Sequence, residues 1–187
     1  KVVPWCPRCG TALSSHELAQ GYADVKDLAI TVKFELADEP GTFLLAWTTT
    51  PWTLPGNVAL AIGTDIAYGI YARNGERVIV ADARAAGMLG GDWVRVADIQ
   101  GRSLIGKRYK PLYEFAHALA SESEKAKFEK AFQAYAADFV TTDDGTGIVH
   151  IAPMYGQDDF ELGQRAGLPK VHLVSFEGTC VSGTGFL

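Results

Sequence analysis

Long apolar runs are missing from this 187-residue chain. No stretch approaches the roughly 18 residues that argue for a membrane span, and the start K-V-V-P-W-C lacks the basic and apolar segments of a signal peptide. We therefore expect a soluble, cytoplasmic protein with no membrane partner. A positive surplus is missing as well: 17 Lys plus Arg stand against 22 Asp plus Glu, a net charge of −5. That balance is wrong for a protein that wraps a nucleic acid, because neutralised phosphates supply most non-specific affinity. A single-stranded tip, held in place by a larger protein, stays within reach. Cysteine is scarce; three is an odd number and disfavours a disulfide framework, so the compartment reads as reducing. An initiating Met is absent and the chain ends G-T-G-F-L, from which we expect a piece of a longer protein. Motifs of common chemistries are lacking too: there is no G-x-S-x-G elbow and no H-E-x-x-H.

What is there can build a core, since 48% of the residues are hydrophobic. Residues 1–28 read as a lead-in segment, with C-P-R-C at Cys6 and Cys9 and a capping box from Ser14 to Glu17. Cys-x-x-Cys is half of a tetrahedral zinc site. It is read as a half-site completed by ligands outside this chain, as zinc bound within it, or as a plain turn. From Ala29 the pattern changes. Ile30, Val32, Phe34 and Leu36 alternate with Thr31, Lys33 and Glu35, which predicts a half-buried strand. Further strands are predicted over Thr42–Thr49, Val58–Ile62, Ala67–Ala72, Arg77–Ala81, Trp93–Ile99, Phe132–Thr141 and Gly147–Ile151. Helices are predicted over Ser121–Ala131 and Asp158–Ala166, with a shorter one over Asp82–Met88. Many short strands without regular βαβ alternation predict an α+β, β-rich fold, a barrel-like core with peripheral helices.

Several motifs fail on inspection. G-R-S-L-I-G-K-R at Gly101–Arg108 has the glycines and lysine of a P-loop, but Arg108 stands where a hydroxyl must reach magnesium. G-T-G-I-V-H at Gly145 lacks the third glycine of a dinucleotide fingerprint. Cys180 has no predictable histidine partner and reads as a semi-buried thiol.

Two segments survive. In W-T-T-T-P-W-T-L-P-G-N, a strand delivers Thr48, Thr49 and Thr50 to its tip and Pro51 forbids further ladder pairing. In D-G-T-G-I-V-H-I-A-P-M-Y-G-Q-D-D-F-E, a buried strand carries His150. Asp158 is predicted as N-cap, with Asp159 at the first helical position and held ionised by the helix dipole. Each feature has a plain structural reading: strand propensity for the threonines, a hydrogen-bonded core histidine, a stabilising charge at a helix start.

Together these segments resemble the inserted editing (CP1) domain of isoleucyl-tRNA synthetase, a class I aminoacyl-tRNA synthetase, over nearly the whole chain. C-P-R-C-G-T-A-L-S-S-H-E-L-A-Q-G-Y is similar to the start of that insertion, and G-R-S-L-I-G-K-R-Y-K-P-L-Y to its G-x-x-L-x-G-x-x-Y-x-P-L stretch. The valyl and leucyl sister domains carry Arg where Thr50 stands and an acidic residue where Trp52 stands, which favours the isoleucyl type. Leu112–Lys130 matches less well and reads as a helical elaboration. H-I-G-H and K-M-S-K-S signatures are absent, so no amino-acid activation is expected.

The resemblance implies a domain over residues 29–187 that hydrolyses valine from the mischarged 3′ end of the isoleucine tRNA. Its partners would be that tRNA end and the remainder of the parent synthetase. Asp159 would hold the α-ammonium, while Thr48, Thr49 and Thr50 would serve the ribose, the carbonyl and a water. His150 and Thr49 would set the pocket size, and Trp52 and Asn57 would contact adenosine or support the site. No cofactor is implied for editing, and a structural zinc at Cys6 and Cys9 would be completed by a second Cys pair beyond this chain. Two alternatives stay open: an editing domain of valyl or leucyl type, and a non-catalytic RNA-end-binding or interaction module stapled by zinc.

Overall fold

The computed structural model describes residues 2–26 and 28–184. Residues 1, 27 and 185–187, which fall in the expected lead-in segment and at the end of the expected editing domain, lie outside the described residues.

The lead-in consists of a hairpin, β1 (Trp5–Cys6) with β2 (Thr11–Ala12), and a helix, α1 (Ser15–Gln20). Its capping box forms as the sequence predicts. The Glu17 N–H donates to Ser14 Oγ at 3.3 Å, and the Ser14 N–H donates back to the Glu17 carboxylate at 2.7 Å.

The alternating run becomes β3 (Ile30–Glu35), with Phe34 fully buried and Thr31 and Lys33 outside. Beside it lies β4 (Thr42–Thr48), antiparallel in a register that sets Ile30 opposite Thr48. After β5 (Ala59–Ile62) the chain forms β6 (Ala67–Arg73) and β7 (Glu76–Ala81), whose turn uses Asn74 and Gly75 at positive φ. A helix, α2 (Asp82–Met88), and β8 (Val94–Gln100) follow, giving a five-stranded sheet in the order β3-β4-β7-β6-β8. Two short helices, α3 (Phe115–Leu119) and α4 (Glu122–Lys125), lead to β9 (Gln133–Ala136) and β10 (Ile148–Ile151), which flank β5 in a three-stranded sheet. The last helix, α5 (Gln157–Ala166), closes on Gly167 in the left-handed conformation.

The two larger sheets face each other across one core containing Phe34, Leu44, Leu60, Ile79 and Ile148. A second core lies between the three-stranded sheet and the helical segments, through Ile151, Leu162, Leu168 and Phe128. A third, small cluster of Leu45, Val78, Val80 and Ala85 fits α2 to the outer face of the five-stranded sheet. The β-rich core with peripheral helices is the one the sequence predicts. Among the described residues its strands stay in separate sheets and do not close into one ring.

Three local expectations are corrected. Ser121–Ala131 is not one helix: α4 stops at Lys125 and continues as a 3-10 turn over Ala126–Lys130, which brings Phe128 into the second core before Phe132 turns to φ +58°. The strand predicted over Phe132–Thr141 ends at Ala136, where Ala137 to Val140 fold into a turn. The N-cap of α5 is Gly156, not Asp158, so Asp159 occupies the third helical position. Glu161, expected in the capping box, instead accepts from Gln157 Nε2.

The false P-loop is packing. Gly101 opens a 3-10 turn against the Gly63 carbonyl, where a Cβ has no room, and Lys107 pairs with Glu39 at 2.5 Å.

Candidate functional site

Beyond Thr48 the chain leaves the sheet. Thr50 has its N–H on Thr48 Oγ1 at 3.0 Å, and Pro51 starts a 3-10 turn, Pro51–Gly56. That turn swings Thr53 back under the strand end. A row of hydroxyls results: Thr48 Oγ1 lies 3.2 Å from Thr50 Oγ1, which lies 3.3 Å from Thr53 Oγ1. The row ends on His150, whose Nε2 is 3.0 Å from Thr53 Oγ1. The Thr53 hydroxyl donates its proton to the Thr50 carbonyl at 2.7 Å. It therefore accepts from His150, and the ring carries its proton on Nε2. Burial, with 7% of the residue exposed, pushes the His150 pKa down to about 4, so the ring is neutral at neutral pH. Its Nδ1 is a buried acceptor with no partner among the described residues.

Opposite the threonines, Pro153 to Gly156 turn the chain into α5. Asp159 Oδ1 accepts from the Ala152 N–H at 2.7 Å, and Gly156 leaves room for Oδ2 where a Cβ would collide with it. Burial raises the pKa of this carboxyl above its ordinary value, against the lowering effect of the Ala152 N–H. Desolvation thus works against the ionised form that a place in the first helical turn favours.

A cavity of about 290 Å³ separates the two groups. Thr48, Thr49, Thr50, Thr53, His150 and Asp159 all line it. Two carboxylates, Asp144 and Asp159, border it, and no Lys or Arg does among its described lining residues. The cavity is suited to a small cationic group beside a polar wall.

Two expected site residues do not line the cavity. Trp52 is 53% exposed and outside the lining. Asn57 is buried, with Nδ2 donating to the Ala59 carbonyl at 2.9 Å and Oδ1 accepting from Tyr109 at 2.6 Å. It braces the strand behind the site. Conversely, Thr53, Thr141, Thr146 and Tyr155 line the cavity although no sequence pattern marks them as site residues. Thr53 lies within the threonine-rich stretch, but only its contact with His150, 97 residues away, reveals its place.

Cys6 and Cys9 sit at the tip of the lead-in hairpin, with the Cys9 N–H on Cys6 Sγ at 3.3 Å. Hydrogen bonding from Cys9 holds the Cys6 thiol below its ordinary pKa. His16 is engaged with Gln20 at 2.8 Å. Among the described residues no third ligand joins the pair, so two thiols alone do not close a tetrahedral site. No helix among the described residues is long and apolar enough to cross a membrane.

No family model matches the chain. The isoleucine–tRNA ligase of Clostridium acetobutylicum is 50% identical over 181 residues, 97% of this chain and 16% of that protein. Those of Bacillus thuringiensis and Thermoplasma acidophilum are 42% identical over 187 residues and 43% over 177 residues. The chain thus spans 16% to 17% of the length of these relatives. Among solved structures, GlLeuRS-CP1 aligns with a TM-score of 0.59 at 21% identity, over 73% of this chain and 59% of that one. The editing domain of the P. knowlesi cytosolic leucyl-tRNA synthetase aligns with a TM-score of 0.54 at 15% identity, over 78% and 66%. At these identities the likeness is one of fold.

Proposed function

The chain belongs to the isoleucine–tRNA ligase family and has the fold of class I synthetase editing domains, and from that premise we propose that its cavity hydrolyses the ester of valine mischarged onto the isoleucine tRNA. The observation that carries this reading is the shared cavity: the Asp159 carboxylate and the Thr48–Thr50 hydroxyls border one space of amino-acid size.

Asp159 takes the α-ammonium of the valyl group, whose charge offsets the burial of the carboxylate. The ester carbonyl then lies against the threonine edge, where Thr49 and Thr50 position a water. Attack by that water on the carbonyl carbon breaks the bond to the ribose oxygen; a proton from the water goes to that oxygen, and valine and a free tRNA end leave. His150, neutral and fixed by Thr53, limits the side-chain space. A missing methylene gives a binding pocket only about 1–3 kcal/mol of discrimination, the known limit for isoleucine against valine in this enzyme class, so a second, smaller site must remove the error. The acidic balance leaves the body of the tRNA to the remainder of a synthetase, in the cytoplasm. Cys6 and Cys9 supply two thiolates to a structural zinc completed by ligands beyond the described residues, with no part in hydrolysis.

Deacylation of valyl-tRNA and isoleucyl-tRNA by the purified chain tests the reading. Valyl ester should be cleaved and isoleucyl ester spared. Asp159→Ala should abolish cleavage with the fold intact, and undiminished cleavage removes the ammonium anchor. His150→Ala should admit the isoleucyl ester; unchanged discrimination counts against its limiting role.

A further inference from the structure

One wall of the cavity is the loop segment from Asp144 to Gly147, and α2 lies behind it. From α2, Arg84 donates Nε to the Gly145 carbonyl at 3.0 Å and Nη1 to the Asp143 carbonyl at 3.2 Å. The Ala81 N–H donates to the Thr146 carbonyl at 2.9 Å. Three carbonyls of one loop are thus drawn to the side of β7 and α2. A trans peptide is planar, with C=O and N–H pointing in opposite directions. Turning these carbonyls back therefore turns the N–H groups of Asp144, Thr146 and Gly147 forward, and all three residues line the cavity.

The backbone allows this alternation because Gly145 and Gly147 adopt φ of +65° and +74°. A guanidinium suits such a clamp, since its rigid fork reaches two carbonyls two residues apart, whereas an ammonium is a single point charge on a flexible stem. Arg84 itself does not line the cavity.

We propose that Arg84 is a positioning residue for the hydrolysis: it holds the Asp143–Gly147 loop with its backbone donors facing the acceptor atoms of the bound ester. The proposal rests on the editing reading of the cavity. Donors that meet the substrate equally in ground and transition states govern KM, not kcat.

Arg84→Met and Arg84→Lys test it in the purified chain, by steady-state deacylation of valyl-tRNA and by amide hydrogen exchange without substrate. For Arg84→Met we expect KM to rise about tenfold, the loss of one or two hydrogen bonds, with kcat within about threefold. The amides of Asp144–Gly147 should exchange faster while those of β5 and β10 keep their rates. Arg84→Lys should recover part of both effects. Unchanged KM, a fall confined to kcat, or loop amides at wild-type rates each overturn the proposal. If Arg84→Met does not fold, the same readouts on Arg84→Lys decide. Should the wild-type chain leave valyl-tRNA intact while Arg84→Met still loosens these amides alone, the editing reading falls and the loop clamp stands.

Discussion

His150 lines the cavity and carries a titratable ring that the fold keeps neutral. Its pKa is about 4, against an ordinary 6.5. As pH falls from 6.5 toward 4, the unfolded chain binds a proton that the folded chain refuses, so stability drops with falling pH. The integrated effect is about 3 kcal/mol, fully felt only near pH 4. His150→Gln removes that contribution. Urea unfolding at pH 7, 5.5 and 4.5 should give the wild type a steeper loss than the variant, and parallel curves would contradict the assignment. Asp159 has the opposite sign. Its raised pKa makes the ionised form a cost above that pKa, so Asp159→Asn should hold or raise the melting temperature at pH 7 by a few degrees while deacylation is lost. A fall in melting temperature would mean the carboxylate stabilises the fold. At this scale the end of the strand at the threonines was legible, because Pro51 forbids further ladder pairing, while the hydroxyls read equally as strand propensity until the fold sets them along the cavity. Asp159 was legible as a charge but not in its burial, which depends on how Gly156 and Ala152 fold around it. Trp52 and Asn57 share the threonine-rich stretch but do not line the cavity, since the 3-10 turn leaves one exposed and buries the other as a brace behind the site.

Among the elements, the loop before β10 is tightly constrained. A Cβ on Gly147 would strike the Ala81 side chain, and its φ of +74° is one that other residues rarely adopt. Gly147→Ala should therefore cost about 2–4 kcal/mol, from backbone strain and overpacking together, measured by denaturant unfolding. A cost under about 0.5 kcal/mol, the usual range of a neutral surface change, would refute the close packing. The strands were legible because alternation and β-branched residues mark a half-buried sheet directly. Helical signals were weaker. Ser121–Ala131 is rich in helix formers, yet burial of Phe128 tightened its second half, a tertiary demand that propensity does not contain. Likewise, glycine took the N-cap of α5 although Asp158 had the better side chain for it, because the turn needs space beside Asp159.

Across the whole molecule, three cores stack from α2 through both sheets to the helical side, and none of them includes a described residue of the lead-in hairpin. The hairpin instead meets an exposed segment after α5 at Trp5, whose Nε1 donates to the Phe176 carbonyl at 2.8 Å and whose ring lies 5.0 Å from that of Phe176. Trp5→Ala should speed proteolysis within residues 13–26 and leave the melting temperature of the core nearly unchanged. A large fall in melting temperature would show that the hairpin is integral to it. Sheet order and the pairing of β5 between β9 and β10 were not legible, since strands of similar composition leave their partners unspecified until all are packed.

The separation of Thr53 from His150 along the chain has a consequence for biosynthesis. Under the proposed reaction, a ribosome that has completed only the first half has made the alcohols but neither the ammonium anchor nor the gauge that excludes isoleucine. A prematurely terminated product is then incapable of stripping correctly charged tRNA, so the error-correcting step switches on only together with its own safeguard.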